Sequence, residues 1–149
     1  MKVTIAKLGL PDRSAWEVLA CEYNAFYQSE KSPEEYDLAW TRLVSNDGVH
    51  GLGASVNGRL VGIAHFLFHT STWASTVCYL QDLYTSPSER GMGVARALIS
   101  AVAEQAKAAD ATRFYWLTRE NNAVARVLYE RVAKHNGFIR YEYPLKSDA

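Results

Sequence analysis

Apolar and polar residues alternate over Lys2–Leu8, with Val3 and Ile5 on one face and Lys2 and Thr4 on the other, which predicts a short strand. Pro11-Asp12-Arg13-Ser14 then reads as a helix start with Asp12 or Ser14 as cap, and from Trp16 to Gln28 the residues Val18, Leu19, Tyr23 and Phe26 recur at helical spacing. Ser32-Pro33-Glu34-Glu35 is a second start, with Ser as cap, Pro in the first helical position and Glu three residues after the cap. That helix is expected to reach about Val44, with Leu38 and Leu43 inward, and Asn46-Asp47-Gly48 ends it.

Leu52, Ala54 and Val56 alternate in the next strand, and Asn57-Gly58 marks a two-residue hairpin into Arg59–Thr70. A turn over Ser71–Ser75 leads into a third consecutive strand, Thr76–Thr85, so the three form an antiparallel meander. Beyond the loop Ser86-Pro87-Ser88-Glu89, a helix from Gly93 to about Ala109 carries Ala95, Leu98, Ile99, Val102 and Ala106 as one stripe. Thr112–Thr118 predicts an aromatic strand. Asn121 to about Lys134 predicts a helix with Val124, Leu128 and Val132 inward, and after Asn136-Gly137 a last strand runs Phe138–Leu145. The order β-α-α-β-β-β-α-β-α-β predicts a mixed α/β (α+β) fold, one central sheet with helices on both faces.

The chain has 149 residues and no repeat or linker-like stretch, so one domain over 1–149 is expected. Sixteen basic residues balance sixteen acidic ones. This argues against a nucleic-acid partner, which demands a basic excess or stripe. The most apolar stretches, Leu60–Phe68 and Met92–Ala103, are too short to span a membrane and include His65 and Arg96. The N-terminal residues do not read as a signal peptide. Two cysteines, Cys21 and Cys78, form neither a disulfide framework nor a metal-ligand spacing, and reduced thiols in the cytoplasm are expected.

The segment Arg90-Gly91-Met92-Gly93-Val94-Ala95 lies between a strand and a helix start. Its two glycines let a ligand approach the backbone, and the first-turn N–H groups with the helix dipole favour an anion. The competing reading is a plain loop-to-helix turn. A dinucleotide fingerprint would need Gly where Arg96 stands, and the Gly-Lys-Ser/Thr of a P-loop is absent.

Arg90-x-x-Gly93-x-Ala95 after Leu83-Tyr84-Thr85-Ser86-Pro87 resembles the acetyl-CoA motif of the GNAT family of N-acetyltransferases. The element order is similar to that family's over nearly the whole chain. Asn122-x-x-Ala125-x-x-x-Tyr129 resembles the family's second cofactor helix, its positions sharing one helical face. Tyr79-Leu80-Gln81-Asp82-Leu83-Tyr84 and Phe114-Tyr115-Trp116 look most like the spermidine/spermine acetyltransferases and the yeast histone and polyamine acetyltransferases of the Hpa type.

The resemblance implies acetyl-CoA as donor and direct attack of a primary amine on its thioester. It implies that the pyrophosphate rests on Arg90, Gly91 and the N–H groups of Met92, Gly93, Val94 and Ala95, and that the pantetheine arm runs along Leu83, Tyr84 and Thr85 and past Asn122 and Ala125. A backbone N–H near Leu83 would stabilise the developing oxyanion. Tyr129, protonated at neutral pH, would donate to the leaving thiolate. On spacing alone Tyr129 reads first as a packed aromatic with a satisfied hydroxyl. In the spermidine/spermine group a glutamate stands where this chain has Gln81, and an amide is no base. The remaining candidates are His69, Glu30 and water. Asp82 should face away from Gln81's side of the strand unless a bulge intervenes.

Tyr27, Glu30, His69, Trp73 and Gln81 are the candidate acceptor-site residues, an aromatic and acidic set suited to a small cationic amine or a protein or peptide amine. Two other classes compete: a catalytically silent acyl-CoA sensor, which the missing glutamate favours, and a nucleic-acid-binding α+β module, which neutral charge disfavours. The face Ile139, Tyr141 and Tyr143 of the last strand suggests pairing across a two-fold axis in a homodimer.

Overall fold

Asn57 and Gly58 both take positive φ, 52° and 75°. This is the mirror-image turn whose twist suits adjacent strands, and it joins β2 (His50–Val56) to β3 (Arg59–His69). The structure, a computed structural model, describes residues 2–146. The chain divides after Leu117 into two compact units.

In the first unit β1 (Val3–Lys7), β2, β3 and β4 (Val77–Thr85) pair antiparallel in that order, and β5 (Phe114–Trp116) adds parallel to β4. The predicted meander is present. The aromatic strand is only three residues long, because its pairing spans Cys78–Leu80 against Phe114–Trp116 and no further.

Two helices follow β1: α1 (Arg13–Phe26) and α2 (Pro33–Val44). Ser32 caps α2 by accepting the Glu35 N–H at 3.2 Å, as its sequence signature predicts. Trp16, Leu19 and Ala20 of α1 and Tyr36, Trp40 and Leu43 of α2 form the core with Leu8, Ile63 and Tyr84. The expected inward positions Val18, Phe26 and Leu38 are exposed instead. Val18 and Leu38 each lie two residues from a core position, about 200° round the helix, and the large aromatics Trp16, Tyr36 and Trp40 set which stripe turns inward; Phe26 is the last residue of α1.

Ile63 faces α1 and α2, so its neighbour Gly62 faces the opposite side of the sheet. A Cβ on Gly62 would stand 2.8 Å from Val94 and 3.1 Å from Leu98. Both belong to α3 (Val94–Ala108), whose buried stripe is Val94, Leu98, Ile99, Val102 and Ala106. Helices therefore cover both faces, as expected; Val94 rather than Ala95 heads the stripe.

The second unit contains α4 (Ala123–Val132). Leu128 and Val132 are half-buried, but Val124 is 86% exposed, contrary to expectation. The expected strand over Phe138–Leu145 is not formed. Alternation over that segment satisfies only the side-chain requirement of a strand; the backbone requires a ladder partner as well. The sheet comprises β1 to β5, and Phe138, Ile139, Tyr141, Tyr143 and Leu145 are exposed.

Candidate active site

Gly91 and Gly93 both take φ of +83°, and a Cβ on either would meet nothing within 4 Å. Gly93 caps α3 in this left-handed conformation, and its carbonyl accepts the first helical bond, from Ala97 N–H at 2.9 Å. The amides of Val94, Ala95 and Arg96 therefore precede the hydrogen-bond ladder. Met92 is exposed beside them, whereas Val94 is buried in the core. Arg90 reaches back: its Nε donates to the Thr85 carbonyl at 3.2 Å, and its guanidinium lies 5.4 Å from the Tyr84 ring centre.

Among the described residues no strand pairs one edge of the adjoining stretch of β4, where Arg90 already takes the Thr85 carbonyl. Ser86 N–H donates to Val61 C=O at 2.8 Å. Backbone groups alternate sides along a strand, so Leu83 and Thr85 turn their N–H and C=O groups away from β3. β5 no longer pairs there, since its ladder ends at Leu80. Among the described residues, Thr85 Oγ1 is buried with no hydrogen-bond partner. Open space over two left-handed glycines, first-turn amides, Arg90, an unpaired strand edge and an orphaned hydroxyl together fit a long ligand with an anionic group. The cofactor candidates Leu83, Tyr84, Thr85 and Arg90–Ala95 are thus brought together.

At the upper end of that edge the sheet is irregular. His65 pairs with Asp82 and Phe66 with Leu80, so Gln81 is an extra residue bulged out of β4. The bulge shifts the side-chain alternation by one. Asp82 and Tyr84 therefore join Tyr79 on the α1 face, and Gln81 is exposed. The Asp82 carboxylate accepts from His65 Nδ1 at 2.9 Å, and its charge acts on the Tyr23 hydroxyl of α1. His65 Nε2 in turn accepts from the Trp16 indole N–H at 3.0 Å. Burial, and next the Asp82 charge, push the Tyr23 hydroxyl far above the usual tyrosine range, so it stays a donor. Tyr27 packs against Tyr23, the rings tilted by 56° with centres 5.0 Å apart.

The other acceptor candidates lie elsewhere in the first unit. His69 has both ring nitrogens engaged, with the Thr70 carbonyl at 3.1 Å and the Tyr115 hydroxyl at 3.0 Å. It is four residues beyond His65 on β3, about 13 Å along the strand. Trp73 is 93% exposed in the turn before β4. Glu30 is exposed after α1. In the second unit Asn122 caps α4 and donates to Thr118 Oγ1 at 3.0 Å, while Ala125 and Tyr129 are half-buried at the expected spacing. The grouping of Trp16, His65 and Tyr23 around Asp82 was missed by sequence reasoning. The only available signal was the break in alternation between Tyr79 and Tyr84, which a bulge explains.

The sequence model of the Acetyltransferase (GNAT) family matches residues 14–133. The D-amino-acid N-acetyltransferase HPA3 of Saccharomyces cerevisiae is 30% identical over 146 residues, covering 95% of this chain and 90% of the yeast protein. The thialysine N-epsilon-acetyltransferase of Caenorhabditis elegans is 34% identical over 89 residues, 60% of this chain and 56% of that protein. Among solved structures, the ribosomal-protein-alanine N-acetyltransferase of Brucella melitensis superposes with a TM-score of 0.82 at 25% identity, covering 97% of this chain and 100% of that one. The aminoglycoside acetyltransferase AAC(6')-Iy, solved with a CoA-containing bisubstrate analogue, shares the fold with a TM-score of 0.86 at 16% identity, covering 99% of this chain and 100% of that one. The chain belongs to the GNAT acetyltransferase family and is an N-acetyltransferase.

Proposed function

We propose that this enzyme transfers the acetyl group of acetyl-CoA to the primary amine of a small molecule, by direct attack in a ternary complex. The observation that carries this reading is the pair of left-handed glycines, Gly91 and Gly93, leading into α3 beside the unpaired edge of β4. Acetyl-CoA supplies an activated thioester. The amides from Met92 to Ala95, with Arg90, hold its phosphates; Leu83 and Thr85 extend backbone hydrogen bonds to its arm, and Asn122 and Ala125 take the roles the resemblance gives them. The Leu83 N–H donates to the acetyl oxygen as negative charge develops. Tyr129 donates to the departing thiolate.

Asp82 takes the proton that an ammonium must lose before it attacks. Gln81 has no basic atom, but the bulge that turns it out brings Asp82 onto the tyrosine-lined α1 face. A carboxylate among Tyr23, Tyr27 and Tyr79 suits a cationic amine. This weakens the sensor reading, which rested on Gln81. Because the yeast relative acts on D-amino acids and the nematode relative on thialysine, amino acids of these kinds are the first acceptors to test.

The family match runs across the division after Leu117, which supports a single catalytic domain over the whole chain. We take the enzyme to be a cytoplasmic homodimer, in line with its free Cys21 and Cys78 and the exposed apolar residues of 138–145. Among the described residues no helix is long and apolar enough to cross a membrane.

The test is thiol release from acetyl-CoA with D- and L-amino acids, thialysine, spermidine, histone-tail peptides and an aminoglycoside. Release with one class, reduced in Tyr129→Phe, is expected. Binding of acetyl-CoA without release for any amine would overturn the enzyme reading in favour of a sensor. A sedimentation mass of one chain at micromolar concentration would remove the homodimer.

A further inference from the structure

We propose that Trp16 and His65 are positioning residues for the transfer: the buried indole N–H fixes which nitrogen of His65 carries the proton, and His65 thereby holds Asp82 as a proton acceptor. This inference rests on the assignment of Asp82 as the base.

The tautomer follows from hydrogen-bond arithmetic. An indole nitrogen only donates. Trp16 Nε1 stands 3.0 Å from His65 Nε2, so Nε2 accepts and the ring proton is on Nδ1. Nδ1 stands 2.9 Å from Asp82 Oδ2, so it donates there. The Tyr23 hydroxyl of α1 is turned toward the same carboxylate closely enough to feel its charge. Tyr27 and Tyr79 are the other titratable groups interacting with Tyr23. Asp82 thus has His65 as its hydrogen-bond donor and is itself only half-buried, so it keeps a route to solvent for a proton.

A buried tryptophan needs a partner for its N–H in any case. That requirement alone would be met by a backbone carbonyl or an amide. Here the partner is an imidazole, which accepts on one side and donates on the other along a rigid ring. Trp16 is 1% exposed and anchored against Trp40, ring centres 5.0 Å apart, so the donor at the origin of the chain cannot wander. Each link joins a different element: α1, β3, and β4 at its bulge. The base is therefore oriented from the core outward.

The direct experiment needs no substitution. In the full chain labelled with nitrogen-15 at histidine, two-bond proton–nitrogen correlations should show His65 protonated on Nδ1 at neutral pH. Protonation on Nε2 instead would overturn the inference. In Trp16→Phe, which keeps an aromatic ring and loses the N–H, Asp82 still favours a proton on Nδ1 but Nε2 loses its donor, so the share of His65 protonated on Nδ1 alone should fall. The kcat should fall about tenfold with the KM for acetyl-CoA unchanged, as expected for loosening one hydrogen bond to a charged group. His65→Leu should lose at least as much, and His65→Gln, which can still accept and donate, should retain more. Wild-type kcat in folded Trp16→Phe and His65→Leu, with Asp82→Asn impaired, would sink the inference alone. Wild-type kcat in Asp82→Asn would sink the base assignment and the inference together.

Discussion

The carboxylate of Glu89, one residue before the glycine loop, is buried and ion-paired with Arg59, the first residue of β3. Ser88 donates to its second oxygen. The short 3-10 turn Pro87–Glu89 that precedes Arg90 is thereby tied to the hairpin end of the sheet. The loop proposed to hold the phosphates is fixed at its entrance by charge and at its exit by the packing of Val94.

The Ser88 and Arg59 hydrogen bonds hold the Glu89 carboxyl below the usual carboxylate range. A carboxylate whose value is lowered on folding stabilises the fold above its unfolded value of about 4.3. That contribution disappears as pH falls through the lowered folded value. Glu89→Gln should therefore lower the urea midpoint at neutral pH, and the difference from wild type should shrink on acidification. Parallel urea titrations from neutral to strongly acid pH check this.

Gly62 gives α3 its seat. Gly62→Ala would place a Cβ 2.8 Å from Val94 Cγ1 and 3.3 Å from the Tyr84 carbonyl oxygen. The helix must move off the sheet, at a cost of about 1–3 kcal/mol. Chemical denaturation should show that loss. Because Val94 shares the N-terminal turn of α3 with the cofactor amides, the KM for acetyl-CoA should rise as well.

Gly93→Ala and Gly91→Ala meet no steric obstacle but must hold an L-residue at φ of +83°. The strain is about 1 kcal/mol each. The larger effect should be on acetyl-CoA, whose phosphates would meet a methyl group where backbone now lies open. Calorimetric titration with coenzyme A should show weaker binding in both variants, with a thermal midpoint only slightly reduced.

Asp82→Asn keeps the shape and removes the proposed base. The kcat with a protonated amine should fall by about a hundredfold or more. Raising the pH, which deprotonates the amine in solution, should recover part of the loss. A steady-state pH profile of wild type and variant checks this; Gln81→Ala, a change at the bulged and exposed neighbour, should fall far less.

The glycine loop could be read from residues because it is local. Glycine is required where φ is positive, and a helix start follows within three residues, so Arg90–Ala95 carries its own geometry. The hairpin at Asn57-Gly58 and the Ser32 cap were legible for the same reason. The bulge was not. The break in alternation between Tyr79 and Tyr84 does not say which residue is left unpaired, because that depends on β3 and on where the short β5 stops.

By itself the sequence determined the order of elements up to α4, the meander, the glycine turn into α3 and the spacing of Asn122, Ala125 and Tyr129. These are set by periods, caps and turn residues acting over a few positions. Tertiary structure decided which stripe of each helix is inward, that Phe138–Leu145 lies outside the sheet, and that Asp82 rather than Gln81 joins Tyr23 and His65. Each of those depends on a partner distant in the chain: an aromatic neighbour to pack against, a strand to pair with, or a one-residue slip in register that carries a carboxylate from one face of the sheet to the other.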